Sequence, residues 1–508
     1  MLLTKFSFPA DLFRTYCLET EGKIDSYHAE DLNNDGLKDI VVLTLRNEMD
    51  NSHARLVSVY FQDHTGFRLE PDQSFTLTDQ VILFDFGDVA GDAKKELVFF
   101  ARGGIFYYSL SDTGFSLSPQ KLFETESIFM LSDKKTLCTW DFVSDLNGNF
   151  VDEILVPKIT KCVIYFRNPG SSGWLINEIP LSSEVQVFGH YDMRFSVGSK
   201  TYASYSTPYI VLEDFNSDGR KDLIGVYKDS LVVFCQDETG YFYQQSLQRI
   251  NLNFGDIWRG AKIQRTHLGQ KSERRFLMRV IDLNDDGILD IVGTRISTQE
   301  NFINPKTEVR IYFGKLDNTH SLATYYFNKE PDQIIKPGGT QLVLDLMDVN
   351  HDNKIDLIIP VAKVGLTRII KMLLTKTVEL EAEFYLMNSD GIYPENPNLK
   401  TKMVVRFSFR GGAASPVYEI EDFNGDGNLD ILSSQEEKRL VIFWGDSKNV
   451  INSSVGAKFN VLLPQNGELV RAMDLNEDNK CDVIITFEEE DALHKRLKNV
   501  IKILLTNY

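Results

Sequence analysis

One acidic nine-residue pattern, Asp-x-Asn-x-Asp-Gly-x-x-Asp in its full form, occurs eight times, and each copy runs directly into an apolar, β-branched stretch. The copies begin at Asp31, Asp88, Asp145, Asp214, Asp282, Asp348, Asp422 and Asp474. Self-similarity at a long period marks a repeat architecture, in which each unit is a small supersecondary element packed against its neighbours. Successive starts lie 52 to 74 residues apart, and the interval around the chain ends, from Asp474 through Tyr508 to Asp31, is 65. A wrap-around interval like the others predicts a closed ring of eight four-stranded units, residues 1–508 forming a single all-β propeller whose closure removes free sheet edges. A seven-bladed ring with one stray motif is the alternative. After the last motif only two strand-like runs remain, CDVIITFE and NVIKILLTNY, so the fourth strand of the last unit is expected from the N-terminus, near MLLTKFSFP.

Oxygen-bearing side chains at alternate positions, with Gly or Asn sixth to permit a left-handed turn, are what a short loop needs to wrap a hard cation such as Ca²⁺. Six copies are complete. Their candidate ligand sets are Asp31, Asn33, Asp35, Leu37 and Asp39; Asp214, Asn216, Asp218, Arg220 and Asp222; Asp282, Asn284, Asp286, Ile288 and Asp290. The other three are Asp348, Asn350, Asp352, Lys354 and Asp356; Asp422, Asn424, Asp426, Asn428 and Asp430; Asp474, Asn476, Asp478, Lys480 and Asp482. Two copies are degraded. In 88–96 the third position is Ala90, the sixth Ala93 and the ninth Glu96; in 145–153 the fifth is Asn149, the sixth Phe150 and the ninth Glu153. About six Ca²⁺ sites are therefore expected, with weak or absent metal in those two. Without metal, the side chains would serve only as turn caps.

An EF-hand is excluded, because its loop needs a Glu at position 12 and flanking helices. Here position 12 is Val42, Gly225, Gly293, Ile359, Ser433 or Ile485, inside runs such as IVVL and LIIP that read as buried strands. A loop of this kind joining two strands resembles the FG-GAP and VCBS repeats of integrin-like β-propellers, in which a Ca²⁺ loop links the first and second strands of each blade. The resemblance covers nearly the whole chain, and YFRNPGSSGW adds to it. It implies Ca²⁺ loops on one face of the disc and the other connections on the opposite face.

The net charge of −19 follows from the loops. Positions one, five and nine of the six complete copies supply 18 carboxylates, and six divalent ions would return 12 charges, leaving about −7. The chain shows no concentrated basic face for nucleic acid and no apolar run near the roughly 20 residues that span a bilayer. The five cysteines, Cys17, Cys138, Cys162, Cys235 and Cys481, form no CxxC pair, and Cys138 and Cys162 are expected on the first and third strands of one blade. The Ca²⁺ reading and the resemblance point to an extracytoplasmic location. MLLTKFSFPADLF is not a signal peptide, its apolar stretch being broken by Lys5, so a leader removed from this numbering is expected.

Function is expected where the chain departs from its repeat, because rigid scaffolds carry binding residues on loops. The long excursions are 185–206, 251–274, 297–308, 328–341 and 398–416, and among them His190, Tyr191, Arg194, Trp258, Arg259, Arg265, His267 and Arg410 are the candidate partner-binding residues. The favoured reading is a non-catalytic, Ca²⁺-stabilised module for protein binding, adhesion or assembly. A glycan-binding propeller is the first alternative, opposed by the lack of a blade-to-blade Trp or His outside the loops. A polysaccharide lyase is the second; its base and cationic groups would have to come from His190, Arg194, Arg265 and His267, whose spacing ties nothing together.

Overall fold

This computed structural model describes the chain apart from residues 1–11, 48–52, 131–136, 169–172, 191, 195–199, 228, 253–255, 258–272, 301–304, 318–323, 363–376, 407–416, 437, 447–455, 489–496 and 508. The described residues form eight antiparallel blades arranged as a β-propeller, with one short 3₁₀ turn at Gly467–Leu469 as their only helical element.

Blade 1 consists of Lys23–Glu30, Asp39–Asn47, His53–Tyr60 and Gln73–Leu77, in that order from inside outward. Blade 2 is Leu83–Gly87, Glu96–Ala101, Gly104–Tyr108 and Gln120–Phe123; blade 3 is Val143–Ser144, Glu153–Pro157, Cys162–Arg167 and Trp174–Ile179. Blade 4 is Tyr209–Glu213, Asp222–Val226, Ser230–Phe234 and Gln248–Asn251; blade 5 is Glu273–Ile281, Asp290–Ser297, Lys306–Tyr312 and Gln333–Ile335. Blade 6 is Asp345–Met347, Asp356–Ala362, Thr377–Tyr385 and Leu399–Arg406; blade 7 is Tyr418–Glu421, Asp430–Glu436, Arg439–Phe443 and Ala457–Asn460. Blade 8 takes Val470–Met473, Asp482–Ile485 and Val500–Thr506 from the C-terminal end, and Phe13–Glu19 pairs antiparallel with Val500–Thr506 as its outer strand. That strand lies downstream of MLLTKFSFP, which is outside the described residues.

The β-branched runs predicted as buried strands are the second strands, buried on both faces, as in blades 2, 3 and 4, and the third strand Ser230–Phe234 is buried in the same way. Their side chains build the core as apolar layers between neighbouring blades. One such layer joins blade 8 to blade 1 through Leu18, Ile40, Val42, Tyr60, Ile484, Ile501 and Ile503.

Polar clasps tie the rims. The side-chain amide of an outer-strand Gln or Asn binds both main-chain groups of an aromatic residue in the next blade: Gln73 with Phe115, Asn177 with Phe242, Gln248 with Tyr325 and Gln333 with Tyr393. Each supplies two hydrogen bonds of about 1 kcal/mol across a blade boundary.

Three expectations are corrected. The excursions 328–341 and 398–416 are not loops throughout, since they contain the outer strands Gln333–Ile335 and Leu399–Arg406. Cys138 is not on a first strand: Cys138–Thr139 pairs in parallel with Leu83–Gly87 of blade 2, and Cys138 is exposed whereas Cys162 is buried at the start of a third strand. Excursion 185–206 holds a separate two-stranded sheet, Glu184–His190 paired with Lys200–Ser206.

Candidate functional site

All eight acidic loops join the first and second strands of their blades, and position nine is the first residue of every second strand. The residue at position two is buried in all eight copies, from Leu32 and Val89 to Phe423 and Leu475, and anchors the loop in the core. Positions four and six both adopt positive φ throughout, as at Asn34 (60°) and Gly36 (83°), Gly148 (78°) and Phe150 (64°), or Glu477 (55°) and Asn479 (60°).

The carboxylates hold this backbone. The position-one Oδ2 accepts the N–H of position six in every copy, at 2.7 to 3.0 Å. The position-five side chain accepts the N–H of position seven in every copy. The position-nine carboxylate is buried and accepts the N–H of position two at 2.9 to 3.2 Å. In the six complete copies its second oxygen accepts a main-chain N–H at the end of the third strand, from Gln62, Gln236, Gly314, Met387 or Gly445 two residues past it or from Thr506 as its last residue, at 2.7 to 2.9 Å. One carboxylate thus pins the loop to the adjacent end of the third strand of its own sheet.

The degraded copies depart from this pattern only in part. Their turns are as well formed as the others, with Ala93 (φ 69°) and Phe150 (φ 64°) in the left-handed region, so the poorer turn expected there is not found. What changes is the ninth position, where Glu is one methylene longer. Glu96 gives one oxygen to the N–H groups of both Val89 and Ala90, and its other oxygen is buried without a partner. Glu153 turns its second oxygen to Asn147 at 3.0 Å.

Phe150 holds a left-handed conformation while 95% exposed. A side chain there costs roughly 1 kcal/mol and gains nothing from burial. Phe150→Gly is expected to stabilise the chain by about 1 kcal/mol in urea unfolding; an unchanged or lower midpoint would mean that Phe150 packs against something in solution.

The loops also touch one another around the face. The position-eight N–H of one loop donates to the preceding loop, Lys38 to Leu475 O, Lys95 to Leu32 O, Ile355 to Leu283 O and Cys481 to Asp422 O, each at 2.8 Å. The first of these bonds crosses from blade 8 to blade 1.

Burial pushes the position-nine carboxyls upward, and the carboxylates of positions one and five add to the effect. Asp39, Asp290 and Asp430 rise to about 7, Asp356 and Asp482 to about 6, and Asp222 rises too. Such crowding of oxygen ligands is what a hard cation relieves. In the last loop the Asn476 amide lies 3.1 Å from an oxygen of both Asp474 and Asp478, so its own oxygen there completes a trio, whereas its nitrogen there closes the loop without an ion. The donor chemistry fits Ca²⁺. Among the described residues, however, no three His, Cys, Asp or Glu side chains gather closely enough to hold a metal by themselves, so the amide at position three and a main-chain oxygen at position seven must belong to any complete set. Arg220 already pairs with the Asp218 carboxylate at 2.6 Å.

On the opposite face lie the connections from fourth strands into the next blade. His190 ends the strand Glu184–His190, and Arg194 is exposed and pairs with Asp192 at 2.6 Å. Tyr191, Trp258, Arg259, Arg265, His267 and Arg410 lie outside the described residues. What sequence reasoning missed is the hairpin itself. Val185, Val187, Phe188, Tyr202 and Tyr205 are all exposed on it, and Phe188 stacks on Tyr202 with centroids 5.0 Å apart. Its signal was the apolar alternation of VQVF with no buried face to account for it.

No family model matches the chain. A T-cell immunomodulatory protein homolog of Plasmodium falciparum is 24% identical over 232 residues, which is 43% of this chain and 28% of that protein, so the chain matches under a third of its relative's length. Among solved structures, an Agrocybe aegerita lectin studied for specific recognition of non-reducing terminal N-acetylglucosamine is similar over 89% of this chain and 90% of its own, at 13% identity and a TM-score of 0.39. The V. cholerae biofilm matrix protein Bap1 is similar over 95% of this chain and 77% of its own, at 13% identity and a TM-score of 0.23. Among the described residues no helix is long and apolar enough to cross a membrane.

Proposed function

We propose that this chain is a non-catalytic β-propeller of the FG-GAP/VCBS kind, stabilised by Ca²⁺ in its six complete loops, which binds another protein outside the cytoplasm through the face opposite those loops. The observation that carries the reading is the division of labour between the faces. One face repeats a single acidic loop whose carboxylates accept from backbone N–H groups and from the position-three Asn amide. The other carries the non-repeating connections and the exposed apolar hairpin. In each complete loop the side chains at positions one, three, five and nine and the main chain at position seven would hold the ion, which would supply charge neutralisation and rigidity. Ca²⁺ levels suited to such open loops are those outside the cytoplasm.

A glycan partner has one observation in its favour, the stacked and exposed Phe188 and Tyr202, since aromatic faces can pack on sugar rings. The test is a binding screen of the calcium-loaded chain against immobilised glycans and against extracellular proteins, with an assay for cleavage of acidic polysaccharide. Expected are a retained protein, no retained glycan and no cleavage. Glycan retention lost in Phe188→Ala would replace this reading with the lectin one, and cleavage lost in Arg194→Ala would replace it with an enzyme.

A further inference from the structure

Among the described residues, the hairpin Glu184–His190 and Lys200–Ser206 pairs only with itself, leaving the outer edge of each strand without a described partner strand, and its described side chains are exposed on both faces. It is anchored at the base. Ser183 binds the carbonyls of Ile159 and Lys158 in the strand turn of blade 3, and Tyr227 of blade 4 donates to Ser182 O. An isolated two-stranded sheet is marginal in water, and an unprotected apolar edge is a template for another strand. Natural edges carry Lys, Pro or bulges, whereas the run from Val185 to Phe188 reads Val-Gln-Val-Phe with unbroken register.

We propose that the occupant of this edge is the same hairpin of a second copy, the two strands Glu184–His190 pairing antiparallel about a two-fold axis at Val187. The register favours self-pairing. Centred on Val187, the arrangement sets Val185 opposite Gly189 and Val187 opposite its own copy, so four valines run together on one face, flanked by Tyr205 and Ala203, their cross-strand neighbours. A two-fold interface of this kind closes on itself and ends at a dimer. The chain's charge of −19 opposes association in general, but the acidic loops lie on the other face of the disc. This inference does not depend on the calcium or partner reading above.

Sedimentation of the full chain in calcium-containing buffer tests it. Expected is a species of twice the 58.0 kDa chain mass that dissociates on dilution. Val187→Lys should be monomeric at all those concentrations, because it sets two like charges on the axis; Val187 is 73% exposed, so the variant should melt like the wild-type chain diluted until it is monomeric. Under mild oxidation, Val187→Cys in a Cys138→Ser background should give a disulfide-linked dimer, whereas Leu117→Cys, an exposed site in blade 2, should not. A wild-type chain that stays monomeric, with no cross-link from Val187→Cys, overturns the proposal. So does a monomeric chain whose hairpin instead retains a different protein or lipid vesicles in a Val187-dependent manner.

Discussion

Asp430→Ala is expected to destabilise the protein by about 3 kcal/mol, and calcium is not expected to restore the loss. The carboxylate of Asp430 is buried and accepts the N–H groups of Phe423 at 3.0 Å and Gly445 at 2.7 Å. Truncation leaves both donors without a partner, at roughly 1 to 3 kcal/mol each, offset in part because the carboxyl no longer has to be desolvated. Asp430→Asn should do little better, since its NH₂ would face one of those donors. Asp426→Ala at position five provides the contrast. Its carboxylate is at the loop surface and caps Asn428 at 2.8 Å, so without calcium its removal should cost about 1 kcal/mol or less. With calcium present the gap should widen, because the variant loses the ion as well as the cap. Urea unfolding of both variants with and without calcium measures this. Equal losses under both conditions for both variants would make the loops simple turns.

Removing calcium from the wild-type chain is expected to have the largest effect of all. A ligand at 100 times its Kd stabilises by about 2.7 kcal/mol per site, so even a few sites amount to most of a typical domain's stability. The pH dependence carries its own signature. Burial and neighbouring carboxylates raise Asp39, Asp290 and Asp430 to about 7, Asp356 and Asp482 to about 6, and Glu153 to about 8, from ordinary values of 3.8 for Asp and 4.5 for Glu. Each group therefore binds its proton more tightly folded than unfolded. The stabilisation this gives is complete below pH 4 and is lost as pH rises through about 6 to 8. The metal-free chain should accordingly melt higher at pH 5 than at pH 8. Added calcium should reverse that order, because protons and cation compete for the same oxygens.

Much of the ring was legible because its determinants are local. The spacing of the loops announced eight units, and Gly36, Gly219, Gly287 and Gly427 announced the left-handed sixth position. The equally left-handed fourth position was not legible. Asn34, Ser217, Asp285, His351 and Glu477 share no chemistry, and the loop's hydrogen bonds impose the conformation on whatever residue stands there. Phe150 shows the same override at position six. The outer strand Gln333–Ile335 was missed because it is three residues long and lies between Pro331 and Pro337. The clasp glutamines were missed because each meets its partner across a blade boundary, 42 residues away for Gln73 and 60 for Gln333. The six side chains named for partner binding that fall outside the described residues were chosen by type alone, which carries no position.

The most direct measurement is the calcium content of the purified, calcium-equilibrated chain, taken together with its melting temperature before and after chelation. About six ions per chain and a fall of more than about 10 °C on chelation are expected from six complete loops. A chain that carries no calcium and melts at the same temperature in chelator would contradict the account, leaving the eight loops as turns capped by their own carboxylates.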